Sequence, residues 1–204
     1  MVARRVLHEL SAALERGEIV AVPTDTVYGL AADATIAASA ERLFELKRRP
    51  MSVALPVLVA SPAEALRLAA PVARARLELL SARYWPGALT IVVERDPDVA
   101  VHLGGDPGTV GIRCPGHPLV RELCAAVGPL AVTSANRHLE PSCRSADEVR
   151  AVFGADVAVL DGGRCDGMPS SVVSLLGGDI CMLREGPVAL SDVLQALQAP
   201  PAAR

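Results

Sequence analysis

RVLHELSAALERGEIVAVPTDTVYGL, residues 5–30, decides the fold class of this chain. Val6, Leu7, Leu10, Ala13 and Leu14 recur at the three-and-four spacing of one helix face, and the pattern stops at Gly17. Ile19 to Val22 then runs apolar without a break and ends at Pro23, which reads as a short buried strand. Directly beyond it the chain turns polar, with Thr24, Asp25 and Thr26. A helix feeding a buried strand that ends in hydroxyls is the unit from which α/β sheets are built.

The same alternation continues outward. Ala37, Ala40, Leu43, Phe44 and Lys47 predict a second helix reaching toward Pro50, and Leu55 to Val59 a strand. Ser61-Pro62-Ala63-Glu64 is a capping box with proline at the first helical position. Strand patterns follow at Leu89 to Val93, Thr109 to Arg113, Leu130 to Thr133 and Val157 to Leu160. A helix near Pro118 to Val127 and a second capping box at Ser145 to Glu148 lie among them. Ser171 to Leu176 and Asp179 to Leu183 flank Gly177-Gly178, a connection suited to a tight hairpin. The expected fold is α/β, with a mixed sheet covered by helices.

Composition bounds what such a chain does. Its 204 residues suffice to bury roughly two-thirds of the extended surface. With no Pro/Gly/Ser linker, residues 1–204 read as one domain, with a core of about 5–190 and an Ala/Pro tail from Ala199. Two Phe, two Tyr and one Trp leave the core to aliphatic packing. There is no long apolar run and no signal-like N-terminus, so a cytoplasmic protein without membrane contact is expected. Cys114, Cys124, Cys143, Cys165 and Cys181 lack metal or disulfide spacing, as do His8, His102, His117 and His138, so no protein-held metal is expected. A net charge of −3 argues against coating nucleic acid by bulk electrostatics, which leaves any anion site local.

Five segments at strand ends concentrate polar chemistry: Pro23 to Leu30, Lys47 to Pro50, Gly111 to Pro115, Thr133 to Asn136, and Pro169 to Ser171 with Arg184 beyond. Together they offer hydroxyls, an amide and several cations, a set that suits a small and strongly anionic ligand such as a nucleotide with an amino acid. Read singly, each has a plain structural explanation. Thr24 and Thr26 would close a turn, Ser134 and Asn136 would cap a helix, and Arg113 would pair with a surface carboxylate. Lys47 differs, because of 20 Lys and Arg residues it is the one lysine. No phosphate loop, dinucleotide fingerprint or nucleophile elbow is present, so phosphate binding would rest on Arg, Lys and scattered hydroxyls.

Pro-Thr-Asp-Thr-Val-Tyr-Gly-Leu at 23–30, Lys47-x-Arg49-Pro50, Gly111-Ile112-Arg113, Ser134-Ala135-Asn136 and Leu183-Arg184-x-Gly186 together resemble the YrdC family of threonylcarbamoyl-AMP synthases, in its short bacterial form. The resemblance implies a twisted open sheet flanked by helices, with a concave, positively lined cavity. It implies a nucleotidyltransferase that joins L-threonine, bicarbonate and ATP into threonylcarbamoyl-AMP and pyrophosphate, for modification of tRNA next to the anticodon. Threonine would lie near Thr26, Tyr28, Lys47 and Ser134, and ATP near Arg49, Arg113, Ser134, Asn136, Ser170 and Arg184. Lys47 and Arg49 would be the catalytic cations, and Mg²⁺ would be held mainly by the nucleotide. A downstream tRNA threonylcarbamoyl transferase would be the partner, with RNA contact secondary. The chain departs from the family pattern at His138 and Leu139, where Ser and Gly are usual, at Ala54-Leu55 in place of Pro-Leu, and at Ser171 and Ser174 in Ser170-Ser171-Val172-Val173-Ser174. Two other readings stay open on the sequence alone: an RNA-binding or regulatory relative without synthase activity, and carbamoyl transfer to another acceptor.

Overall fold

The computed structural model describes residues 2–137 and 139–198; His138 and the tail from residue 199 lie outside the described residues. Helix α1 (Val2–Glu15) leads into β1 (Val20–Val22), and then come β2 (Gly29–Asp33), α2 (Ala37–Lys47), β3 (Val57–Leu58) and α3 (Pro62–Leu68). Next are α4 (Arg74–Tyr84), β4 (Leu89–Glu94), β5 (Thr109–Arg113), α5 (Pro118–Val127), β6 (Leu130–Ser134) and α6 (Ala146–Phe153). The chain finishes with β7 (Ala158–Val159), β8 (Ser171–Ser174), β9 (Cys181–Arg184) and α7 (Leu190–Gln198).

The strands form one open sheet in the order β7-β1-β2-β6-β3-β5-β4-β8-β9. It is mixed, as expected: β1–β7, β3–β5 and β4–β8 pair in parallel, and the remaining neighbours are antiparallel. The hairpin at Gly177-Gly178 differs from the expectation. β8 ends at Ser174 and β9 begins only at Cys181, and a 3₁₀ turn over Leu176–Gly178 with positive φ at both glycines fills the longer connection. The ladder between these strands is also bulged at Val172/Val173, away from that connection.

Because side chains alternate across a strand, each strand divides its residues between two layers. Ile19, Ala21, Leu30, Ala32, Val57, Ala131, Ile91, Ile112 and Val173 enter the main core with α2, α3, α4, α6 and α7. On the opposite face, Val20, Val22, Ala31, Leu58, Leu130 and Val132 meet Leu10 and Leu14 of α1 and Val120 and Leu123 of α5. Those two helices cover only the β1-β2-β6-β3 portion of that face. The alternate residues of the other strands, Thr90, Val92, Gly111, Arg113 and Val172, line a cavity instead.

Helix ends aim the site. Ser61 and Ser145 cap α3 and α6, accepting from Glu64 N at 3.3 Å and Glu148 N at 3.2 Å. The returning carboxylates reach one residue beyond the usual partner, to Ala60 N and Arg144 N. Helix α2 closes with Arg48 in the left-handed region (φ 55), while Arg48 N donates to Glu45 O and Arg49 N to Phe44 O. That reversal leaves Lys47 buried on the helix, Arg48 exposed and Arg49 on the cavity wall.

Candidate active site

The uncovered half of the sheet and the segments at its strand ends enclose about 480 Å³, within the range of small-molecule sites. Thr90, Val92, Gly111 and Val172 belong to its sheet floor, and the segments after β1 and α2, the end of β6 (Val132 to Ser134), Pro169, Ser170 and Arg184 wall it. Three of its lining residues are arginines, Arg49, Arg113 and Arg184, and none of its described lining residues is an acid.

Each arginine is held by defined acceptors. Arg49 donates Nε to Val53 O (3.0 Å) and Nη2 to Ala54 O (2.8 Å), which folds the loop after α2 around its own guanidinium. Arg184 donates Nε and Nη2 to the backbone oxygen and hydroxyl of Ser170, both at 2.9 Å, and the Ser170 hydroxyl also pairs with Thr90 Oγ1 at 2.8 Å. Arg113 donates Nε to Gly87 O (2.9 Å), Nη1 to Thr26 Oγ1 (3.1 Å) and Nη2 to Asp25 Oδ1 (2.7 Å). Asp25 is its partner: the guanidinium is buried, whereas the carboxylate stands at the surface, so the surface pairing that the sequence allows as a plain explanation does occur, on the buried arginine. Thr24 spends its hydroxyl proton on Val27 O at 2.7 Å, so the Thr26 hydroxyl donates to Thr24. The two threonines therefore buttress Arg113 as well as closing a turn.

Burial lowers the pKa of Arg113, against the opposing pull of Asp25. Arg184 is lowered by burial first, then by the charges of Arg113 and Arg49. The cations thus repel one another around the cavity, and a ligand carrying several negative charges relieves that repulsion.

Lys47 is 2% exposed and stands behind Ser134, outside the cavity lining. Its ammonium donates to Ser134 O at 2.7 Å, to Ser134 Oγ at 3.1 Å, to Asn136 O at 3.2 Å and to Asn136 Oδ1. Burial and then the neighbouring Arg49 push its pKa down to about 8. Asn136 turns its amide onto Arg137 O and Glu140 O, so Ser134 and Asn136 cap no helix; they form a cradle for the one lysine.

Of the residues singled out from sequence, Thr26, Tyr28, Arg49, Arg113, Ser134, Ser170 and Arg184 line the cavity, whereas Lys47 and Asn136 lie behind its wall. The Tyr28 hydroxyl is already used: it donates to Gly163 O at 2.8 Å and accepts from Gly162 N at 3.2 Å. It pins the 161–169 segment over the threonine turn, so closely that a Cβ on Gly167 would lie 2.5 Å from Asp25 O. Thr90 and Asp25 went unrecognised as site residues. Alternation places Thr90 opposite Leu89 and Ile91, and a lone hydroxyl on the second face of an apolar strand was the available signal. No local pattern distinguishes Asp25 from a turn residue. Among the described residues no group of three or more His, Cys, Asp or Glu side chains is placed to hold a metal ion.

Fold and site together define an α/β protein whose half-covered sheet carries a cationic small-molecule cavity. The Sua5/YciO/YrdC family model, described as "Telomere recombination", matches residues 12–186, and the chain belongs to that family. A Chromohalobacter salexigens protein named threonylcarbamoyl-AMP synthase is 40% identical over 172 residues, 82% of this chain and 91% of that one. A Klebsiella pneumoniae protein of the same name is 36% identical over 175 residues, 83% of this chain and 90% of the other. The crystal structure of P. abyssi Sua5 complexed with L-threonine superposes with a TM-score of 0.87 at 31% identity; the match covers 94% of this chain but 57% of that longer one.

Proposed function

We infer that this chain is a threonylcarbamoyl-AMP synthase, which condenses L-threonine, bicarbonate and ATP into threonylcarbamoyl-AMP and releases pyrophosphate. The observation that carries the reading is the convergence of Arg49, Arg113 and Arg184 on one cavity whose described lining has no acid, as a triphosphate requires. The names of the bacterial relatives and the threonine bound by the archaeal Sua5 support it.

Bicarbonate takes up a proton and loses water to give carbon dioxide, and threonine's neutral amine adds to it and releases a proton to form a carbamate. A carbamate oxygen then attacks the α-phosphorus of ATP, and the bond to the bridging oxygen breaks as pyrophosphate leaves. The enzyme's task is to hold carbamate and phosphorus in line and to neutralise the departing charge. In this reading Arg49, Arg113 and Arg184 bind the phosphates, with Ser170 holding Arg184 in place. Threonine lies near Thr26, the Tyr28 ring and Ser134. Lys47 reaches the reacting atoms by exchanging one of its Ser134 or Asn136 acceptors for a phosphoryl or carbamate oxygen, and Asn136 serves through that cradle. Thr90, bonded to Ser170 at 2.8 Å, joins the phosphate side. Mg²⁺ would accompany the nucleotide and be held by its phosphates, since the described cavity lining offers no carboxylate.

The reading includes a single domain over residues 1–204, a cytoplasmic setting, nucleotidyltransferase chemistry and delivery of the adenylate to a tRNA-modifying transferase. No helix among the described residues is long and apolar enough to cross a membrane. Pyrophosphate release from ATP tests the reading: it should require L-threonine and bicarbonate together, and equal release without threonine would refute it.

A further inference from the structure

Three arginines face the cavity, yet they are not balanced alike. Arg49 and Arg184 bond only carbonyl and hydroxyl oxygens in the described residues, whereas Arg113 carries an ion pair. Its side chain is 7% exposed, and all three nitrogens of its fork are engaged, Nη2 by Asp25 Oδ1 at 2.7 Å. The same carboxylate oxygen accepts from Gly116 N at 2.9 Å, and a Cβ on Gly116 would lie 3.1 Å from Asp25 Cγ, so the carboxylate is wedged against that turn. Asp25 itself is not part of the cavity lining.

We propose that Asp25 is a positioning residue that sets the effective positive charge of the cavity through Arg113, and thereby governs how firmly a polyphosphate is held and released. The proposal rests on the triphosphate reading of the cavity. A site that binds ATP and must let pyrophosphate go gains nothing from holding substrate and product ever more tightly, because binding shared by the ground state does not speed the chemical step. Arg113 is itself buried, so solvent screens it little, and Asp25, partly exposed and outside the cavity lining, tempers its charge while fixing the direction of the fork.

Asp25→Asn separates charge from geometry. The amide oxygen still accepts from Arg113 Nη2 and Gly116 N, but the negative charge is gone. Titration calorimetry with inorganic pyrophosphate, and separately with ATP, should give both ligands bound about tenfold more tightly than by the parent, equivalent to about 1.4 kcal/mol. In turnover the KM for ATP should fall while kcat falls with slower release. Asp25→Ser, which also removes the charge but keeps a hydroxyl acceptor, is measured alongside and should shift pyrophosphate binding in the same direction; it decides the matter if the Asn variant does not fold. A purely structural role would weaken binding on either substitution, so unchanged or weaker pyrophosphate binding in a folded variant overturns the proposal. If the parent itself binds neither ATP nor pyrophosphate, the triphosphate reading has failed and this inference falls with it.

Discussion

Replacing Lys47 with methionine removes an ammonium from a site of nearly the same volume, and its effect on stability should depend on pH in a way no surface lysine would reproduce. Lys47 is 2% exposed, and burial, assisted by Arg49, pushes its pKa from the ordinary 10.5 down to about 8. Below about pH 8 the side chain is charged in both the folded and unfolded states, and the folded state bears the cost of keeping it so. Between about pH 8 and 10.5 only the unfolded chain retains its proton, so the unfolded state binds more protons and stability rises with pH. The full difference amounts to about 3 kcal/mol, of which about 2 kcal/mol should accrue between roughly pH 7 and 10. Urea unfolding of parent and Lys47→Met at both ends of that range isolates it, because other titrating groups are common to the two chains. The parent should gain about 2 kcal/mol relative to the variant as pH rises. Parallel profiles, agreeing within about 0.5 kcal/mol, would refute the reasoning, since an ammonium with ordinary solvation carries no such linkage.

Lys47→Arg should lower kcat/KM by about a hundredfold, roughly 2.7 kcal/mol, because a planar guanidinium does not fit the cradle of Ser134 and Asn136; Arg48→Lys, at an exposed position, should be nearly silent, with circular dichroism confirming that both fold. Leu139 is 91% exposed at φ 68, so Leu139→Gly should raise stability by about 0.5–1 kcal/mol, visible as a melting shift of about 1–4 °C, and should change ATP affinity no more than about tenfold.

Much of this protein was legible along the chain. The heptad-like face of α1, the break at Gly17 and the apolar run into Pro23 specify a helix and a buried strand through periodicity alone, and both occur there. Helices α2 and α5 begin and end within a residue or so of their patterns, because a proline or a polar turn interrupts each and Ser61 and Ser145 mark later helix starts. Strand β2 was passed over, since Gly29 to Asp33 is small and weakly patterned and becomes a strand only by pairing with β1 and β6. Helices α4 and α7 were likewise missed; they pack against each other, so tertiary contact decides what local propensity leaves weak. In the site, residue type foretold cations, hydroxyls and an amide, but not which of them would share a wall. Tertiary structure put Arg49, Arg113 and Arg184 around one space although they lie far apart in the chain, committed the Tyr28 hydroxyl to Gly163, and withdrew Lys47 behind Ser134. The physical reason is that periodicity follows from the local backbone geometry of each element, whereas burial, charge repulsion and hydrogen-bond commitment depend on segments from β1 to β9 meeting across the sheet.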